Sequence, residues 1–141
     1  MSEPGTGATP FEYAVLRVIP RVDRGEAMNA GILLYCRPLR YLGARVDLDV
    51  DLLLALEPEA DVPGVQRALA AIAGVCAGAG AGDPGAADPG PAGSEDIGRR
   101  FRWLTAPRST VVQAGPVHTG LTRDPDAEIG RLLRALVLRP R

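Results

Sequence analysis

The sequence predicts a small α+β fold, a mainly antiparallel sheet of about four strands with helices packed on it. Three observations lead there. Apolar, β-branched runs fill residues 12–46 and are separated only by short connectors. Amphipathic helical spacings follow them. One further strand pattern and one strongly periodic helix then close the chain.

EYAVLRVIP (12–20) is nearly apolar on both faces and ends at Pro20, as a central strand does. AGILLYC (30–36) is a second buried strand. YLGARVD (41–47) alternates weakly, with Leu42, Ala44 and Val46 on one face and Tyr41, Arg45 and Asp47 on the other. Connections this short favour antiparallel pairing. Asp51 is placed to cap a short helix over Leu52 to Leu56, stopped before Pro58. Asp61 caps a longer helix with Pro63 in its first turn and an apolar face of Val65, Leu69, Ile72 and Cys76. Ser94 caps another, with Glu95 and Asp96 at its positive end and a buried stripe of Ile97, Phe101 and Leu104. STVVQA (109–114) reads as the fourth strand. Asp124-Pro125 opens the last helix, whose Ile129, Leu132, Leu133, Leu136 and Val137 are the clearest periodic signal in the chain.

Residues 1–10 read as a disordered leader. Residues 78–93 hold only Gly, Ala, Asp and Pro, with no large apolar side chain to offset ordering entropy. The tract is a flexible linker between two halves of one fold or an expanded surface loop. Residues 94–141 are too few to build a core easily on their own, so the expectation is a single domain over 11–141 interrupted by a flexible loop at 78–93.

The 141 residues include 17 Asp plus Glu against 16 basic residues, all of them Arg, for a net charge of −1. That balance speaks against a general polyanion binder, so nucleic acid is not an expected partner. The absence of lysine excludes a Schiff-base lysine and the phosphate-reading lysine of a P-loop or a kinase. The N-terminus lacks the basic and apolar regions of a signal peptide. No apolar run approaches the roughly 20 residues of a membrane span. A cytoplasmic location is expected. Cys36 and Cys76 lie in apolar contexts and read as buried thiols. Two cysteines and one histidine cannot fill a conventional zinc site, and no metal or cofactor is expected.

Three polar clusters stand out in connectors, where functional groups are usually presented. In the first, Arg21, Asp23, Arg24, Glu26 and Asn29 follow Pro20. Glu26 is a candidate acid or base and Asn29 a candidate orienting group. The bland reading is a solvated loop of weak ion pairs. Arg17, set in an apolar strand, calls for a carboxylate or carbonyl partner, and Glu26 is the candidate. The second is Arg99, Arg100, Arg102 and Trp103, of which Arg99, Arg102 and Trp103 share a helix face opposite the apolar stripe, a combination suited to a phosphate, a base or an acidic partner surface. Its bland reading is a packed indole beside solvated arginines. In the third, Arg108 and Ser109 precede the fourth strand and His118 follows it. His118 is a candidate general base, with Ser109 or Thr119 as nucleophile or orienting group. The bland reading is a hydrogen-bonding turn histidine. The topology predicts that 17–29 and 107–120 meet on one side of the sheet, with Arg108 in reach of Glu26 and His118 close by.

Two longer strings carry a family resemblance. YAVLRVIPRVDRGEAMNAGILLYC (13–36) and RRFRWLTAPRSTVVQAGPVHTG (99–120) resemble the signature blocks of the uncharacterised bacterial family catalogued as domain of unknown function 3037. The resemblance marks Arg17, Arg21, Glu26, Asn29, Phe101, Arg108, Ser109 and His118 as motif positions and transfers no activity. It also implies a partner, a HipA-like kinase protein, and hence an accessory or regulatory binding module. The chain itself has no Gly-rich loop, H-R-D or D-F-G string of a kinase. The alternative is a small enzyme acting on a phosphate- or carboxylate-bearing substrate through Glu26, Arg108 and His118.

Overall fold

β1 (Thr9–Val18) lies at the centre of a five-stranded antiparallel sheet. The structure, a computed structural model, describes residues 7–78, 94–108 and 110–139. Along one edge β1 pairs with β2 (Met28–Cys36), which pairs in turn with β3 (Tyr41–Val46). Its other edge is shared end to end. β4 (Val112–Ala114) pairs with Leu16 to Val18, and β5 (His118–Thr122) with Thr9 to Tyr13.

β5 is the strand that the sequence pattern does not announce. HTGLT has little apolar alternation, and residues 115–120 read as a connector. The free backbone edge of β1 recruits the segment, which leaves β5 largely exposed apart from Thr122. β1 itself begins at Thr9, inside the expected leader, where Thr9 and Pro10 pair with Thr122 and Leu121. The expected loop at 78–93 lies, beyond Gly78, outside the described residues, as do residues 1–6 of the leader.

The helices are α1 (Val50–Leu56), α2 (Val62–Cys76), α3 (Ser94–Thr105) and α4 (Pro125–Leu136). Asp61 and Asp124 cap α2 and α4 as expected, each with Pro in the first turn. α1 is capped by Asp49 and not by Asp51. The Leu52 N–H donates to the Asp49 carboxylate at 3.0 Å, and Asp51 sits exposed one position into the helix. The expected Ser94 cap side chain lies outside the described residues.

Burial divides between the two sheet faces. Leu16, Val18, Met28, Ala30, Leu33 and Tyr35 pack under α1, α2 and α3 through Leu53, Val65, Leu69, Cys76, Phe101 and Leu104. The other face buries Phe11, Ile32, Leu34 and Cys36 under Ile129, Leu132 and Val137 of the α4 region. Leu133 is half-buried and Leu136 exposed, so the α4 stripe is narrower than its periodicity suggests. Cys36 and Cys76 are free, buried and in opposite cores.

A bulge in β2 switches which of its alternate residues face which core. Leu16 opposes Gly31 while Arg17 opposes Asn29, so Ala30 is an extra residue. Met28 and Ala30 then face the three-helix side, and Ile32 and Leu34 face α4. Gly31 is required there by close approach, because a Cβ would stand 2.8 Å from the Arg45 carbonyl oxygen across the strands.

Three outcomes are expected. Leu132→Ala, which opens a cavity under α4, lowers stability by about 2–5 kcal/mol in chemical denaturation. Gly31→Ala forces two backbones apart and costs about 1–3 kcal/mol by the same measurement. Burial pushes the Cys76 thiol from its ordinary 9.0 up to about 12, against a small opposing effect of Arg100. A raised folded-state pKa stabilises fully below the unfolded value and is lost as pH climbs through the folded one. Wild-type stability therefore falls between pH 9 and pH 12 relative to Cys76→Ala, as followed by parallel urea titrations.

Candidate functional site

The C-terminal end of β1 leads into Pro20 and Arg21, and the segment before β4 runs alongside it, with the Ile19 N–H donating to the Val111 carbonyl at 2.7 Å. The two polar blocks are therefore joined by strand pairing. Between that junction, α2 and the end of α3 lies a cleft of about 770 Å³. Leu53, Val65, Ala68, Ile72, Leu104 and Val112 form its apolar lining. Arg21, Glu57, Glu59, Asp61, Trp103 and Arg108 bring charge and an indole to it.

Arg108 organises one end. Its guanidinium donates to the Leu104 carbonyl at 3.3 Å and to the Trp103 carbonyl at 2.5 Å, satisfying groups that the end of α3 leaves open. The same guanidinium lies 4.5 Å from the Trp103 ring centroid. Trp103 remains 53% exposed. At the other end Arg21 holds Asp23 through two hydrogen bonds, at 2.7 and 3.2 Å, and approaches Glu57 at 4.0 Å.

Glu26 is not part of the lining. Arg24 binds its carboxylate at 2.9 and 3.2 Å, across a tight turn in which the Arg24 and Gly25 N–H groups donate to the Arg21 carbonyl and Gly25 adopts φ +73°. That hydrogen bond and the Arg24 charge hold the Glu26 carboxyl below the usual range. The expected partnerships of Glu26 with Arg17 and Arg108 are thus replaced by a local one, because closing a two-residue separation costs little chain entropy.

His118 lies elsewhere. It pairs with Tyr13 in the β1–β5 register, and its ring stands 5.2 Å from the Tyr13 ring. Tyr13 packs with the α4 core, so His118 faces away from the cleft. The imagined convergence of Glu26, Arg108 and His118 does not occur. Ser109 lies outside the described residues.

The second cluster is divided too. Phe101 and Leu104 are buried as the stripe requires, with Phe101 5.3 Å from the Tyr35 ring. Arg102 pairs bidentately with Glu12 at 2.8 and 2.9 Å, a pairing that raises its pKa. It therefore ties α3 to β1. Arg99 is exposed on α3. Arg100, a member of the cluster that the sequence places off the shared face, donates to the Val75 and Cys76 carbonyls at 3.2 and 3.4 Å and closes the end of α2. No periodicity signals such a role, since the acceptors belong to another helix. Asn29 donates to the Leu136 carbonyl at 2.9 Å, at the end of α4.

Among the described residues no three metal-ligating side chains cluster, and no helix is long and apolar enough to cross a membrane.

This arrangement defines an α+β domain with an amphiphilic cleft at the junction of two polar sequence blocks. The chain belongs to the family described as Protein of unknown function (DUF3037), whose model matches residues 13–137. No curated protein and no solved structure matches it.

The geometry makes Glu26 and Arg108 energetically independent. In a double-mutant cycle, Glu26→Arg and Arg108→Glu should add with no coupling in urea denaturation. Restoration of stability in the double variant would contradict the separation described here.

Proposed function

We propose that the protein is a binding and regulatory module whose α2–α3 cleft engages a protein partner, the HipA-like kinase implied by the family resemblance. The observation that carries this reading is Trp103. It is a large aromatic side chain, 53% exposed, covered by Arg108 at the mouth of an apolar cleft. Tryptophan and arginine over an apolar centre with charged rims are the residues that dominate protein interfaces. The enzyme reading has less support. It requires an acid–base group beside Arg108, whereas Glu26 is held by Arg24 and His118 stacks on Tyr13 across the sheet.

The test is co-purification with a HipA-like kinase protein, followed by a phosphorylation assay with and without this chain. Binding and a change in phosphorylation are expected. Trp103→Ala should weaken the complex by about 2 kcal/mol or more, while Arg134→Ser, on exposed α4 surface, should leave it intact. Binding that is insensitive to Trp103→Ala would remove the cleft from the interface. A complete lack of association would end the kinase-partner reading.

A further inference from the structure

We propose that Arg17 is the anchor of an anion-binding site on the α4 side of the sheet, taking the carboxylate or phosphate group of a small organic ligand. The site is separate from the α2–α3 cleft and does not depend on the function proposed for it.

The first observation is an arginine without a counter-charge. Arg17 is half-buried near the C-terminal end of β1. The other two half-buried arginines, Arg100 and Arg108, donate to carbonyls at helix ends. Among the described residues Arg17 makes no hydrogen bond and no ion pair. The carboxylates of α4 and of the turn after β1 are engaged elsewhere. Asp126 of α4 holds Arg45 and Tyr41, Glu128 holds Arg131, and Glu26 holds Arg24. A guanidinium has five donors in a planar fork and cannot lose its charge, so the donors of Arg17 stay available to an anion arriving from solvent. An arriving carboxylate or phosphate would match that fork.

The second observation is the ring of groups around it. Phe11, Tyr13 and Val15 of β1 pack with the α4 core, and strand alternation puts Arg17 on the same face. Asn29 and Gln113 are its register partners on the two neighbouring strands. Directly opposed residues of an antiparallel pair share a face. Each amide uses one N–H on a backbone carbonyl, Leu136 at 2.9 Å and Thr110 at 2.6 Å, and each has a second N–H to offer. α4 packs on β2 and β3, leaving the β1–β4–β5 side of this face beside it.

The third observation is Gly115. A Cβ there would stand 3.0 Å from both Cζ and Nε of Arg17. The guanidinium therefore lies against bare backbone at the β4–β5 junction, where the Gly115 N–H donates to the Val15 carbonyl at 2.8 Å. Half-buried Val15 is next along the face, and beyond it comes the Tyr13–His118 ring pair. A ligand with an anionic head on Arg17 and an apolar body along Val15 fits this order of groups.

The test is a side-chain NMR titration of the full chain at constant ionic strength. Inorganic phosphate and acetate are the probes in separate arms, and they distinguish the two head groups. The expected result in at least one arm is a saturable shift of the Arg17 Nε–Hε signal together with the Asn29 and Gln113 side-chain amides. Arg17→Gln should weaken the response about tenfold or more, the loss of a charge-assisted hydrogen bond. Gly115→Ala only displaces the end of a flexible side chain. It should keep the fold while shifting the Arg17 signal and weakening the probe, which keeps the proposal testable should Arg17→Gln not fold. A linear, unsaturated drift in both arms of the wild type would overturn the site. So would saturation seen at other arginines but not at Arg17, or a response of equal strength in either variant.

Discussion

The structure depends on the double pairing of β1. A strand that is buried on both faces must satisfy its backbone along both edges. β2 does this on one side along most of its length. On the other side the task falls to two short strands placed end to end, with the Gly115 N–H bonded to Val15 between them. Because β1 is central, its alternating side chains feed both cores at once: Leu16 and Val18 toward three helices, Phe11, Tyr13 and Val15 toward α4. β2 alternates likewise, and the bulge at Ala30 resets its phase.

That pairing also decides what can meet. Strand pairing carries residues 16–19 and 111–114 to one junction, and the cleft opens where the two segments leave the sheet. β5 continues along the same strand but presents His118 on the reverse face. Two stretches adjacent in sequence therefore serve opposite sides of the sheet. A strand alternates its side chains every residue, so a polar motif crossing a strand is divided between the faces.

Several of the arginines, the residues that carry all of the chain's lysine-or-arginine charge, are used in construction. Arg100 closes α2, Arg108 closes α3, Arg102 ties α3 to Glu12 of β1, and Arg45 ties β3 to Asp126 of α4. Arg21 and Arg24 take partners two residues away. A guanidinium reaches two carbonyls of an open helix end at once and keeps its charge there. Two half-buried arginines without a carboxylate, Arg108 on its indole and Arg17 on bare backbone, have capacity to meet another molecule.

By itself the sequence determined the local elements: the first three strands, the Asp61 and Asp124 caps, the Phe101–Leu104 stripe and the buried thiols. Each follows from periodicity or from a side chain within a few residues of the backbone it serves, which is chain-local physics. The family blocks at 13–36 and 99–120 were legible for the same reason, as continuous strings. Only the tertiary structure decided β5, whose weak strand pattern is overridden by the unpaired edge of β1, and Asp49 in place of Asp51 at the start of α1. It alone also decided the charge partners. Glu26 had Arg17, Arg24 and Arg108 as possible partners, and which one it took depended on distances in the folded chain. The candidate site was thus half visible: its residue types were in the string, but their distribution over two faces was set by strand register, which no single segment contains.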